Sequence, residues 1–148
     1  MSRVLILDVN ILVYAYDLDS PRHNRARAWW ETTLQQPCTI GLPWTTLLGF
    51  IRIATHRGIS ARPLPVKVAV GWVRAWLDHP RVRIVAPGDR HAEILFGLLL
   101  ELGVAGNLTS DAHLAALAIE YQAELVSADA DFARFPGLRW FNPLAVRA

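Results

Sequence analysis

The stretch Val4-Leu-Ile-Leu-Asp-Val-Asn10 decides how the rest of the chain is read. Its four apolar residues run unbroken and stop at Asp8. A continuous apolar run of this kind is the pattern of a strand buried on both faces, as in a parallel sheet covered by helices. An acid just past such a strand adds nothing to core packing. It is placed either to cap the short helical turn Val9–Ala15 or to hold a hard cation. Two further stretches carry an acid beside regular structure. Asp111 lies in Thr109-Ser-Asp-Ala-His-Leu-Ala-Ala-Leu117, before a helix, and Asp129 lies in Leu125-Val-Ser-Ala-Asp-Ala-Asp-Phe132, after a strand.

Outward from that first strand, strands and helices alternate. Ser20-Pro21 reads as a helix N-cap with proline at the first helical position, and the helix extends to about Gln35. Cys38–Leu42 is the second strand, and Pro43 opens a helix through about Thr55. After the break at Arg62-Pro-Leu-Pro65, residues Val66, Ala69, Val70, Val73 and Leu77 recur at helical spacing. Val82–Ala86 is a third strand, and Gly88-Asp89 caps a helix to about Leu102. Ala112–Gln122 is a helix, Glu124–Ser127 a fourth strand and Leu138–Phe141 a fifth. This order predicts an α/β fold of three layers, α/β/α, with a four- to five-stranded, mostly parallel sheet and Val4–Leu7 at its centre. Ligands in such sheets bind outside the carboxyl ends of the strands, where Asp8 and Asp129 fall. No repeat, low-complexity tract or linker divides the chain, so residues 1–148 are expected to form one domain.

Composition narrows the class. Hydrophobic residues make up 53% of the 148 and charged residues 19%, enough apolar surface for a packed core. No apolar run approaches the roughly 18 to 20 residues that span a bilayer. The N-terminus has no basic segment leading into an apolar one, so a cytoplasmic location is expected. Cys38 is the one cysteine, which excludes an internal disulfide and a cysteine-based zinc site; it is expected to pack as a small hydrophobe. Of fifteen basic side chains only Lys67 is a lysine. Arginine suits phosphate, and Arg22, Arg25 and Arg27 on one helix with Arg52 and Arg57 on another are placed either to line a path for a phosphate-bearing ligand or to form a solvated face; overall the arginines are scattered, which is also what a codon bias toward arginine produces.

Asp8, Asp111 and Asp129 gain a common meaning if they share a pocket. Carboxylates that close raise one another's pKa unless a cation neutralises them. Mg²⁺ and Mn²⁺ prefer oxygen ligands, activate water and stabilise charge developing on a phosphodiester. Asn10 is placed to orient a water or a phosphate, or to serve as a turn residue. Of Asp129 and Asp131, one is expected to be a turn former; Asp129 is nearer the strand end and is the preferred site acid, with Asp131 as an accessory.

Together, Asp8-Val-Asn-Ile-Leu-Val-Tyr-Ala15, Leu42-Pro-Trp-Thr-Thr-Leu-Leu-Gly-Phe-Ile-Arg-Ile-Ala-Thr55, Thr109-Ser-Asp-Ala-His-Leu-Ala-Ala-Leu-Ala118 and Leu125-Val-Ser-Ala-Asp-Ala-Asp-Phe-Ala-Arg-Phe135 resemble the PIN-domain ribonucleases, specifically the VapC-type toxins of bacterial toxin–antitoxin modules. The resemblance covers nearly the whole chain. It implies a PIN fold, Mg²⁺- or Mn²⁺-dependent endoribonuclease activity on RNA, with tRNA-like targets, and neutralisation by a cognate antitoxin protein. The family's first, third and fourth acids fall on Asp8, Asp111 and Asp129. Its remaining acid, a Glu early in the helix after the second strand, has no counterpart: Gly49 stands at the matching place. Thr45 and Thr46 are the nearest oxygen donors to that gap.

Two other functions are weighed beside this one. A haloacid dehalogenase-type phosphatase would use Asp8 as nucleophile, but needs a second Asp where Asn10 stands and a phosphate-binding Lys where Lys67 sits inside an amphipathic helix. A catalytically inactive PIN-like module that binds RNA or protein is suggested by the absent Glu. The five histidines show no i, i+4 pair, and His113, two residues beyond Asp111 on a regular helix, is expected to point away from it. Trp29, Trp30, Trp72 and Trp76 fall in apolar helical patterns and are expected to pack in a core or an interface. The apolar surplus on Pro43–Thr55 and Pro65–Leu77 predicts a homodimer and a separate groove for an antitoxin peptide, whose Arg or Lys would face the acidic pocket.

Overall fold

A computed structural model describes residues 3–145. It contains β1 (Arg3–Leu7), α1 (Val9–Tyr16), α2 (His23–Leu34), β2 (Cys38–Pro43), α3 (Trp44–Thr55), α4 (Val66–Asp78), β3 (Val82–Val85), α5 (His91–Leu102), α6 (Thr109–Glu120), β4 (Glu124–Val126) and β5 (Trp140–Phe141), with 3₁₀ turns at Gly106–Leu108 and Ala130–Arg134. The five strands form one sheet in the order β3-β2-β1-β4-β5, and every pairing is parallel. The apolar run is therefore central, paired to β2 on one side and β4 on the other.

Its residues alternate between two cores. Leu5 and Leu7 pack with Ile40, Leu42, Leu47 and Phe50 on the face covered by α1–α4. Ile6 packs with Leu98, Leu117, Leu125 and Phe132 on the face covered by α5 and α6. Both sides of β1 are thus apolar because both are covered, which is the physical content of the unbroken run. Gly41 is required where β2 meets its neighbours: a Cβ there would lie 2.8 Å from Val85 Cγ1.

Three expectations about helix ends are corrected. The last long helix begins at Thr109 rather than at Ala112, so Asp111 lies in its first turn and is not its cap. Helix α5 begins at His91, and Gly88 and Arg90 donate their backbone N–H groups to the Glu120 carboxylate at 2.8 and 3.0 Å, so the satisfying acid comes from α6 rather than from Asp89. Helix α2 begins at His23; the Ser20 hydroxyl accepts from Arg22 N–H one turn earlier.

Candidate metal centre

β1 and β4 are adjacent and parallel, and the chain leaves them in opposite directions through the sheet order. Their carboxyl ends form the kind of crevice where open α/β sheets bind ligands. The Asp8 backbone N–H donates to the Val126 carbonyl at 2.9 Å, locking the two ends together. Asp8 does cap α1: its Oδ1 accepts from the Val9 N–H at 2.7 Å. Its other oxygen accepts from the Ser127 hydroxyl at 2.8 Å and from the Asn10 amide at 3.2 Å. The carboxylate is thereby held in one orientation from three sides.

Ser127 is fully buried and organises this end of the sheet. Its hydroxyl donates to Asp8 and accepts from Asn10 Nδ2 at 3.1 Å and from the Asp129 N–H at 3.0 Å. Asn10 completes the link by accepting from the Ala128 N–H at 3.2 Å. Between the two readings of Asn10, the geometry shows a brace across the β1 and β4 ends. Sequence reasoning passed over Ser127 because a serine at a strand's end has no distinguishing local pattern.

The carboxylates of Asp111, Asp129 and Asp131 come together: one oxygen from each lies within 4.8 Å of the others. Asp8 is not one of these three, although it is expected to share the pocket with Asp111 and Asp129; it lines a common cleft with Asp111 instead. Asp129 caps the turn Ala130–Arg134 through its Oδ1, which accepts from the Asp131 N–H at 2.9 Å. Asp131 is exposed, yet its carboxylate belongs to the cluster, so both residues form the turn and both present charge.

Burial raises the Asp111 carboxyl from its ordinary 3.8 to about 6, with further contributions from Asp129, Asp8 and Asp131. Burial also raises Asp8; the hydrogen bonds from Ser127 and Val9 offset part of that rise, and Asp129 adds to it. Like charges in a partly desolvated crevice produce these directions. The donor set is all oxygen, which suits a hard divalent cation of the Mg²⁺ or Mn²⁺ class better than a soft one.

A cleft of about 780 Å³ opens beside the acids. Asp8 and Asp111 line it, with Thr45, Gly49 and Arg52 on the α3 wall and His113 on α6. Gly49 thus faces the cleft, as its sequence position implied. A Cβ there would lie 3.2 Å from Val9 Cγ2, so α1 and α3 approach closely at this point. Thr46 is buried with its hydroxyl donating to the Leu7 carbonyl at 2.7 Å; Thr45 is the exposed hydroxyl of the pair. His113 corrects its expectation: it lines the same cleft as Asp111 and its Nδ1 pairs with Nε2 of buried His91 at 2.9 Å. The cleft is broad enough to meet residues on two sides of α6's first turns.

The chain belongs to the PIN-domain family, whose model matches residues 5–138. Among its relatives, Ribonuclease VapC33 of Mycobacterium tuberculosis is 48% identical over 141 residues, covering 95% of this chain and 99% of that protein. Ribonuclease VapC37 of the same organism is 43% identical over the same share of this chain and 98% of its own length. Among solved structures, VapBC2 from Rickettsia felis bound to a promoter DNA fragment aligns with a TM-score of 0.69 at 22% identity, covering 94% of this chain and 98% of that one. Mycobacterium tuberculosis VapC20, described as a sarcin–ricin loop cleaving toxin, aligns at 0.66 with 17% identity, covering 91% and 98%. The solved structures establish the fold alone.

Proposed function

We propose that this protein is the toxin of a toxin–antitoxin module and that, as one PIN domain, it hydrolyses RNA phosphodiester bonds as a divalent-metal-dependent endoribonuclease. The observation that carries the reading is the convergence of Asp111, Asp129 and Asp131 beside Asp8 at the carboxyl ends of β1 and β4. The ribonuclease and VapC names of relatives up to 48% identical support it. Asp8, Asp111 and Asp129 are assigned as catalytic and metal-holding, with Asp131 contributing charge and Asn10 bracing Asp8. Mg²⁺ is the proposed cation and Mn²⁺ a substitute. When bound, such a cation neutralises the carboxylates and acts as a Lewis acid toward the phosphodiester. The residues themselves keep Asp8 oriented through Val9, Asn10 and Ser127, and hold the Asp111, Asp129 and Asp131 carboxylates close enough together that a cation relieves their repulsion.

The same reading includes a cognate antitoxin, since VapBC assemblies are among the structural neighbours. A second hollow lined by Tyr16, Trp30, Leu34, Trp72 and Trp76 fits an apolar peptide segment, with Trp72 43% exposed in its wall. An Arg or Lys from that peptide reaching the acids would relieve the repulsion a cation relieves. A homodimer is proposed from the exposed apolar side chains Trp44, Leu48, Phe96 and Leu100; light scattering showing a strict monomer would remove that part. tRNA is the proposed substrate class and the cytoplasm the place of action. Among the described residues no helix is long and apolar enough to cross a membrane.

The deciding assay incubates purified protein with total RNA in Mg²⁺, in Mn²⁺ and in chelator. Cleavage that needs the cation and vanishes in Asp8→Asn is expected. RNA binding without cleavage would instead favour an inactive module, for which the glycine at position 49 is the specific argument. Asn10 is already occupied as a brace and Lys67 lies on α4, so a phosphatase has neither its acid/base group nor its lysine at the site.

A further inference from the structure

We propose that Arg52 is a positioning residue that grips the RNA backbone at a phosphate flanking the one cleaved, and that the glycine at position 49 is what leaves it free to do so. The inference rests on the nuclease reading above. Three charged residues line the main cleft: Asp8, Asp111 and Arg52. Two of them repel a polyanion. Arg52 is the cleft's one permanent cation among the described residues, on the wall facing the acids.

Its place along α3 separates its role from theirs. The Thr46 hydroxyl reaches the Leu7 carbonyl, which fixes that residue at the level where β1 ends and Asp8 begins. Arg52 follows six residues later, about 9 Å farther along the helix axis. The backbone at Arg52 is thus set back from the level of Asp8, and its guanidinium is assigned to a phosphate beside the reacting one rather than to the reacting one. Arg52 is exposed and makes no ion pair among the described residues; those present use Arg3, Arg27 and Arg62. Its donors are therefore open to an anion, and the guanidinium fork matches phosphate oxygens.

Position 49 lies one turn before Arg52 on the same helix face. An acid there would be an i, i+3 partner and would hold the guanidinium. With glycine, nothing competes with RNA for it. The loss of one carboxylate from the cleft and the gain of a free cation are then a single change in charge distribution, away from cation binding and toward backbone binding.

The test uses the full chain, a short fluorescently labelled single-stranded oligoribonucleotide and chelator, so that binding is read without cleavage across a series of KCl concentrations. Arg52→Gln should weaken binding roughly tenfold. It should also lower the slope of log affinity against log salt by about 0.7, the value of one phosphate contact on a single strand. Arg52→Lys should restore the slope and part of the affinity. Gly49→Glu should make the Arg52→Gln effect largely disappear, because the pair would already be internal. With Mn²⁺, Arg52→Gln should raise KM more than it lowers kcat. An unchanged salt slope in Arg52→Gln overturns the proposal, even if its melting temperature or activity falls, since a structural role would give that result. Wild-type protein that does not bind the oligoribonucleotide in chelator also overturns it. Wild-type protein that binds, shows the slope change on substitution and cleaves nothing would uphold Arg52 and sink the nuclease reading.

Discussion

Replacing Asp111 by asparagine is expected to stabilise the cation-free protein, although it removes a residue assigned to catalysis. The carboxyl is raised from 3.8 to about 6, chiefly by burial and then by Asp129, Asp8 and Asp131. A displacement of that size corresponds to about 3 kcal/mol against the ionised form. The side chain is only half-buried, and solvent screening reduces the net effect to about 1 kcal/mol. For a chain of this length that is a rise in melting temperature of about 2–4 °C. The folded protein keeps the Asp111 proton up to about pH 6, whereas the unfolded chain releases it near 3.8. Wild-type stability should therefore fall relative to the variant as pH climbs through this interval and stay level above it. Asparagine carries no titrating proton, so the advantage should be full at pH 8 and small near pH 4. Thermal unfolding in chelator at a series of pH values reads this directly. Adding Mn²⁺ should reverse the order, because a cation that binds only the folded form adds stability through mass action and the wild type binds it better. A variant less stable than wild type at pH 8 in chelator, or a gap that ignores pH, would refute the reasoning: the carboxylate would then be favourably paired rather than repelled.

Asp8→Asn should lower RNA cleavage by orders of magnitude with the fold intact, read by gel assay and circular dichroism; Asp129→Asn should be more damaging than Asp131→Asn, since Asp129 is the less exposed of the two and lies nearer the end of β4. Ser127→Ala should cost about 1–3 kcal/mol in chemical denaturation, because it strands the Asp129 N–H and withdraws a donor from Asp8 in a buried place. It should also shift the Asp8 carboxyl further upward, seen as a rise in the acidic limb of the cleavage–pH profile. Gly49→Glu should increase Mn²⁺ affinity in calorimetric titration, with Val9 giving way by a few tenths of an ångström to admit the Cβ; equal affinities would show that this wall does not supply a ligand.

Much of this protein is legible in one dimension because its signals are local. A short unbroken apolar run ending at an acid is the pattern of a strand with both faces covered, and β1 proved to be the central one, with Leu5 and Leu7 on one side and Ile6 on the other. Alternating strands and helices then left few ways to connect a parallel sheet, and the carboxyl ends of the strands marked where Asp8 and Asp129 would lie. Helix ends were less legible. The α5 terminus is satisfied by Glu120, thirty or more residues away, and no local rule contains that bond. The tight carboxylate cluster was likewise decided by tertiary structure: the turn after β4 swings Asp131 back to join Asp129 and Asp111, while Asp8 is held beside them by Ser127 and Asn10. The same holds for His113 and Arg52, which sequence spacing left as an averted histidine and as one of five arginines weighed between a phosphate path and a solvated face. A cleft is made by surfaces from separate segments, here α3 against α6. Which side chains share it depends on how far apart those helices are set and how they are rotated, quantities that no spacing within either helix specifies.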